Sequence, residues 1–552
     1  MNKKACAVKA LAAAMCMAAI LGGCGDGAQD TAQKAFEQVS FPVEDDVTLT
    51  IWKNNIHMVV KNEKDMACYK EMEKLTGVKV DMIHPVAGQR TEQFNIMIAS
   101  QELPDIIMNF DSLYSGGVIK GYNDNVIHEL SGLMEKNAPN LNKLYERYPQ
   151  LKMEASDDQG RIFTAPMIRG DSMARTYRGP VIRADYLEKF NLDVPETIDE
   201  WYQMLTTFKQ NGIDIPFTTT ASFLRTESFM GAYGVAPTFF LDDGKAAFGP
   251  YDERYKEYVK TMAKWYSEGL IDSEITTNDQ KTMDSKVMSF GAGSFIGTTG
   301  NQIGGYLEDM KSQNTDFDLV AAPYPGLVKG EPGIIIQRDP MVQPELGASI
   351  TTACKYPEIA MAYLDYAYGK EGHKLFNFGI EGESYEMQDG VPVYTDIVMN
   401  NPDGLTVSKA GSLYALAFTS GPFVQDKYYV QQFYGKPQQQ AAGKTWAKDV
   451  DKYVEKNTVL LGTLTPEESE EAAPMLNEIN TYANEQFVKW MMGQGDVETE
   501  FESYRDTLKQ LGIEKVLQFY QAAYDRYIEK YPEMKTQAEY NVSDFFWEDE
   551  AE

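Results

Sequence analysis

The sequence predicts an α/β fold of two lobes, with a helical carboxy-terminal extension on one of them. Three observations predict it. Residues 47–110 alternate strand and helix patterns at the spacing of a parallel sheet. A second α/β block follows with no flexible linker before it, so the lobes are expected to be joined by crossing strands. From Pro357 onward helical periodicity dominates.

Charge and composition bound the function. The 552 residues carry 51 Lys+Arg against 82 Asp+Glu, a formal net charge of −31. Phosphate binding needs clustered cations, so nucleic acid is excluded as a partner, and a polyanionic membrane surface is equally unsuited. With 43% hydrophobic and 12% aromatic residues the chain can bury large cores. Five cysteines are too few for a disulfide scaffold.

Residues 1–23 read as an export signal. Lys3, Lys4 and Lys9 give a positive start, and the apolar run Ala10–Leu21 is too short to span a bilayer. The signal ends in Leu21-Gly22-Gly23-Cys24, which resembles the lipobox of bacterial lipoproteins and makes Cys24 the lipid-attachment residue. Cys6 and Cys16 leave with the signal, so Cys68 and Cys354 remain, and two buried, unpaired thiols are expected there. Residues 24–46 are small, polar and acidic, as suits a lipidated tether.

The body starts near Val47. Val47–Trp52 alternates as a strand, Met66–Gly77 has helical spacing closed by a glycine, and Val78–Ile83 is a strand. Gln93–Ser100 reads as a helix and Pro104–Phe110 as a buried strand. After a hairpin-like Ala155–Pro166, Thr197 and Glu200 form a capping box for a helix running toward Lys209. Ile215–Thr220 is strand-like, Tyr255–Leu270 is an amphipathic helix, and Lys286–Gly300 reads as one strand. Helices are expected over Pro357–Gly369, Pro466–Gly493, Phe501–Gly512 and Val516–Tyr531.

No catalytic constellation emerges. Of the four histidines, His128 begins an HExxH-like string at His128-Glu129, but Gly132 stands where the second ligand belongs. A nucleophile elbow, a Walker lysine loop and a dinucleotide fingerprint are all missing. The segment Asn191 to Glu200, with Asp193 and Asp199, and the turn Asp157-Asp158-Gln159-Gly160 lack the calcium-loop pattern and read as a capping box and a turn. No catalytic residue, metal or cofactor is assigned.

Aromatic and amide side chains do collect where strands should end, and ligands of parallel α/β sheets bind there. Sugar faces stack on rings while hydroxyls need amides and carboxylates, so the mixture suits a saccharide. The candidates are Trp52 and Asn54 after the first strand, Asn109 and Asp111 after the third, and Thr299 and Asn301 after the one ending near Gly297. Tyr233, in the GAYG stretch, and Tyr385, in GIEGESY, are added because neighbouring glycines leave a ring open. The competing reading makes Trp52 and Phe110 core residues.

Several stretches together resemble the extracellular solute-binding lipoproteins of the LplA type, which serve ABC importers of Gram-positive bacteria. They are IMIASQELPDII (Ile96–Ile107), NAPNLNKLYERYPQLK (Asn137–Lys152), DQGRIFTAP (Asp158–Pro166), IRADYLEKFNLDVPETIDE (Ile182–Glu200), WYSEGLID (Trp265–Asp272), YPEIAMAYLDYAY (Tyr356–Tyr368), FGIEGESYEMQDGVPVYTD (Phe378–Asp396) and YQAAYDRYI (Tyr520–Ile528). The resemblance implies a class II-like periplasmic-binding-protein fold that holds its ligand between two lobes, with an oligosaccharide or polysaccharide fragment as ligand. It also implies an ABC permease as partner, and a monomer held by its amino-terminal lipid at the outer face of the cytoplasmic membrane. By the same analogy residues 47–165 and 322–356 form lobe one, and 166–321 and 357–552 lobe two with its extension. Some relatives carry a calcium-binding version of Asn191–Glu200; Leu192, Val194 and Pro195 interrupt it here, and calcium is not carried over. Two alternatives stand beside this reading: a surface glycan hydrolase or lyase, which needs two carboxylates facing across the cleft, and a peptide or small-molecule binder on the same fold.

Overall fold

The computed structural model describes residues 38–55, 59–226, 229–313, 316–331, 333–334, 339–448, 462–532 and 541–548. The signal segment, Cys24 and the first part of the tether lie outside the described residues. The strands are β1 (Thr48–Trp52), β2 (Lys79–Ile83), β3 (Ile106–Met108), β4 (Ala165–Arg169), β5 (Arg178–Arg183), β6 (Phe239–Asp242), β7 (Lys245–Phe248), β8 (Ser294–Thr298), β9 (Leu319–Ala321), β10 (Val342–Ile350), β11 (Tyr385–Gln388), β12 (Val391–Tyr394) and β13 (Val424–Gln425).

β-rich alternation in Thr48–Trp52 and the apolar run Ile106–Met108 place β1 and β3 side by side and parallel, with β2 parallel on the outer edge of β1. The whole sheet has the order β13-β4-β10-β3-β1-β2, and β10 runs antiparallel to both β3 and β4. The second sheet repeats the plan: β5 lies antiparallel between β8 and β9. Parallel bridges from Ile215 to Ala292 and from Thr218 to Phe295 extend it, and Phe217 bridges Ile271. In each sheet the antiparallel strand is the one that follows a strand of the other sheet, β5 after β4 and β10 after β9. The chain therefore crosses between the sheets at 170–177 and at 322–341.

Two large apolar cores follow. One gathers Leu49, Ile51, Met108, Leu141, Ile168, Ile350 and Phe378 around the first sheet. The other gathers Trp201, Phe217, Tyr258, Trp265, Phe487 and Trp490 around the second. Helices Pro466–Met491, Val497–Gln510 and Ile513–Lys530 pack into the second core with helix Arg254–Ser267, as the expected extension. The capping box at Thr197 and Glu200 is present: Glu200 N donates to Thr197 Oγ1 at 3.1 Å, and the Thr197 amide donates back to Glu200 Oε2 at 3.2 Å.

Three local expectations change. Lys286–Gly300 is not one strand: Lys286 to Met288 end the helix Gln280–Met288, which Asp279 caps by accepting from Thr282 N at 2.7 Å, and β8 starts at Ser294. Ile215–Thr220 makes isolated bridges rather than a regular strand. The helix Pro357–Asp365 packs on helix Ser131–Asn137 and β10, and residues as far as Tyr434 belong to the first core. The chain passes to the second sheet only through helix Pro437–Ala447, which packs against β9. It returns at the turn Val542–Phe546, where Phe546 stacks on His373 with centroids 3.7 Å apart and Trp547 Nε1 donates to Asp426 Oδ2 at 2.7 Å. Cys68 and Cys354 are buried and unpaired, and burial pushes both thiols up to about 12.

Candidate functional site

At the end of β3, Asn109 adopts a left-handed conformation, φ 61°, which asparagine tolerates better than most residues. Its backbone N–H donates to Gly347 O at 2.8 Å and its side-chain amide to Glu345 O at 3.0 Å. These bonds hold an irregular stretch of β10, between Gln343 and Ala348, against the strand end. Gly347 is required there, since a Cβ at that position would lie 2.2 Å from Ala165 O. The bulge presents Glu345, half-buried, beside Asp111; burial and then the charges of Asp111 and Asp339 raise the Glu345 carboxyl above its usual range. Asp111 Oδ1 accepts from Val118 N at 2.9 Å, at the start of helix Gly117–Asn123.

At the end of β4, Arg169 donates from Nε to Gln343 Oε1 at 3.2 Å and from Nη1 to Ala174 O at 2.7 Å, and pairs with Asp339 Oδ2 at 3.2 Å. Its guanidinium lies 5.2 Å from the Tyr177 ring centre. Arg178, the first residue of β5, lies 5.7 Å from the same ring and 4.8 Å from Phe223 in helix Ala221–Thr226. Tyr177 O accepts from Thr299 N at 2.9 Å, at the end of β8. Half-buried Arg169, Tyr177, Arg178 and Phe223 thus join the strand ends of both sheets in one continuous polar and aromatic surface. Asp339 continues it, accepting from Arg175 Nε at its carbonyl at 2.9 Å. Burial lowers the Arg175 guanidinium to about 10. Both residues also line a cavity of about 340 Å³ whose walls include Arg526 and Tyr527 of the last long helix.

The residues chosen from the sequence are placed unequally. Asn109 and Asp111 stand together with Glu345. Thr299 is buried; it supports the crossing segment, and its carbonyl accepts from Gln439 Nε2 at 2.8 Å. Asn301 is exposed in the wide turn Thr299–Gly304, and Asn54 is half-buried after β1. Trp52 is 2% exposed and meets Phe94 edge-on at 5.6 Å, in a cluster with Phe110 and Phe163. Tyr385 is buried in the first core against Phe378. Tyr233 packs against the second, its hydroxyl donating to Thr261 Oγ1 at 2.6 Å and pushed up to about 12 by burial. Sequence reasoning missed Arg169, Tyr177, Arg178, Phe223 and Glu345. Applying the strand-end rule to Ala165–Arg169 would have selected Arg169; Glu345 depends on a bulge that no local pattern announces.

In the segment Asn191 to Glu200, Glu200 serves the capping box and lies 3.4 Å from Lys329, which also pairs with Glu196 at 3.2 Å. Among the described residues no group of three or more His, Cys, Asp or Glu side chains could hold a metal ion.

Residues 61–374, more than half of the chain, match the family model of the bacterial extracellular solute-binding proteins. This chain belongs to that family. The solute-binding protein is 25% identical over 549 residues to the fructooligosaccharide ABC transporter substrate-binding protein FusA of Streptococcus pneumoniae, covering 92% of this chain and 96% of that one. It is 24% identical to the polygalacturonan/rhamnogalacturonan-binding protein YtcQ of Bacillus subtilis, over 50% of this chain and 55% of that one. Among solved structures, the calcium-free alginate-binding protein AlgQ2 superposes with TM-score 0.68 at 24% identity, over 89% of this chain and 100% of AlgQ2. An HMO-binding, ABC-transporter-associated solute-binding protein from Bifidobacterium longum infantis superposes with TM-score 0.69 at 17% identity, over 87% of this chain and 99% of that one. The solute-binding protein therefore shares the mixed α/β fold of these structures, which resembles that of periplasmic binding proteins, with extra carboxy-terminal helices beyond the core lobes.

Proposed function

We propose that this solute-binding protein is the lipid-anchored, substrate-capturing component of an ABC importer, of the LplA type, and that it encloses oligosaccharides or polysaccharide fragments between two closing lobes before delivery to a membrane permease. On this reading lobe one takes the described residues within 47–169, 342–434 and 541–548, and lobe two those within 178–321 and 437–530, following the two large cores. The observation that carries the reading is the Tyr177 ring, flanked by Arg169 and Arg178, at the place where the strand ends of both sheets meet, with Glu345 within the electrostatic reach of Arg169 and Asp111. Stacking surface and hydroxyl-binding groups converge there, as a saccharide requires.

Relatives named for fructooligosaccharide and polygalacturonan binding support the ligand class. A binding role needs closure and no turnover, and the site offers neither an activated nucleophile nor a metal set among the described residues. Cys24 is the proposed anchor, placing the monomer on the outer face of the cytoplasmic membrane. Thermal-shift screening of the soluble chain against a glycan panel tests the reading: a set of oligosaccharides should raise the melting temperature, and a panel without effect contradicts it.

A further inference from the structure

We infer that the protein carries a second ligand site, for a neutral hydroxyl-bearing molecule the size of a single sugar ring, in the cavity between helix Pro149–Ala155 and the end of helix Ile513–Lys530. The inference goes beyond the saccharide reading of the Tyr177 surface, and its test separates the two.

Size and enclosure limit the ligand. The cavity holds about 340 Å³, near the lower end of the roughly 300–1,000 Å³ of small-molecule sites, which suits one ring rather than a chain. Met153 of the first helix packs with Leu241 of β6 and with Tyr524 and Ile528 of the second, so the two sides are in contact and close the space between them. The half-buried rings of Tyr527 and Tyr531, with centroids 5.4 Å apart, stand in the wall with Met153 and Met341. They offer apolar faces to the C–H groups of a ring. Of the residues near the Tyr177 surface, Arg175 and Asp339 belong to this wall and Tyr177 does not.

The polar groups fix the chemical class. Asp157 accepts from Arg161 Nε at 2.8 Å, Asp339 pairs with Arg169 at 3.2 Å, and Arg526 donates to the two oxygens of Glu468 at 2.9 and 2.7 Å. Glu154 accepts from Gln150 Nε2 at 2.8 Å and from Val342 N at 3.2 Å, and Arg175 Nε donates to Asp339 O at 2.9 Å. The Asp158 carboxylate lies 3.8 Å from Arg526, and its carbonyl accepts from Lys530 Nζ at 3.5 Å. With these partners counted, Glu154, Asp157, Asp158, Asp339 and Glu468 balance Arg161, Arg169, Arg175, Arg526 and Lys530, so the wall asks for no charge in its ligand. Gln150 Oε1, an acceptor, and Arg526 Nε, a donor, are buried on opposite sides without a hydrogen-bond partner. A hydroxyl both donates and accepts, whereas a carboxylate only accepts and an ammonium only donates, so a hydroxyl-bearing ligand matches both groups.

The test titrates the soluble chain with methyl β-D-glucopyranoside, methyl β-D-galactopyranoside and methyl β-D-mannopyranoside by ligand-observed NMR, with glucuronate and glucosamine as charged controls. At least one neutral glycoside should bind, and more tightly than either control. Gln150→Leu should weaken that binding about fivefold, the worth of one hydrogen bond. Tyr531→Ala should weaken it as well, and decides the matter if Gln150→Leu melts below the parent, because the Tyr531 ring is only half-buried. Tyr177→Ala should leave it unchanged. Binding of none of the glycosides, tighter binding of a charged control, loss of binding in Tyr177→Ala, or binding unchanged in both cavity variants overturns the second site. Such a failure with an oligosaccharide of the panel still bound leaves the saccharide reading in place, whereas glycoside binding in the cavity with no oligosaccharide bound overturns that reading alone.

Discussion

The Arg169 guanidinium lies 5.2 Å from the centre of the Tyr177 ring, so the last residue of β4 holds the residue immediately before β5. The contact spans one of the crossings between the sheets, and the Tyr177 carbonyl is tied in turn to the end of β8 through Thr299. In the proposed closure, a ligand that touches this ring would touch a segment joining the two sheets, which would couple binding to closure.

Tyr177→Ala should weaken oligosaccharide binding by about 1–3 kcal/mol, taking base stacking on aromatic rings as the guide. The ligand-free variant should melt close to the parent, because the ring is half-buried. Trp52→Ala should behave oppositely: at 2% exposure beside Phe94, its loss should cost about 3–5 kcal/mol of stability. Calorimetric titration and urea denaturation of both variants separate the two effects.

The strength of the local signal decided what the sequence made legible. Thr48–Trp52, Ala67–Thr76 with its left-handed Gly77, Lys79–Ile83 and the capping box at Thr197 lie within a residue or two of their expected places, since periodicity and caps are local physics. The helix Pro466–Met491 runs unbroken past Pro474, as the apolar spacing indicated. Assignment of Pro357 to Tyr434 to a lobe was not legible, because it depends on which apolar face a helix finds. The site divides in the same way. Strand-end logic reached Asn109 and Asp111, whereas Glu345 and Tyr177 come from a bulge and a crossing segment set by tertiary packing.

Lys53 and Glu63 form an ion pair at 2.6 Å with both side chains 2% exposed, directly after β1. Removing one partner strands the other charge in the interior, so Lys53→Met should destabilise the fold by about 3–5 kcal/mol. The double variant Lys53→Met with Glu63→Gln should regain much of that loss. Chemical denaturation of the three variants checks it, and additive losses would contradict the account.

Asp365 accepts from the backbone N–H of Leu141 at 2.8 Å and of Asn140 at 3.1 Å, yet burial raises its carboxyl from 3.8 to about 6. The folded state therefore holds this proton more tightly than the unfolded chain, and its contribution is present below about pH 4 and lost as pH rises through 6. Relative to Asp365→Asn, the parent should lose roughly 3 kcal/mol of unfolding free energy across that window. Denaturant melts of both proteins at several pH values give the difference, and a rise instead of a fall would contradict the assignment.

Cys24→Ala should release the protein from the membrane fraction or leave it unprocessed, as expected for a cysteine that carries the lipid. Normal processing with unchanged membrane fractionation would contradict the anchor.

The central claim is capture of an oligosaccharide between lobes that close, and small-angle scattering of the soluble chain with and without a saturating oligosaccharide tests it most directly. The bound form should have a smaller radius of gyration, and Tyr177→Ala should need more ligand to reach it. An unchanged scattering profile at demonstrated saturation would contradict closure and leave a rigid binding platform in its place.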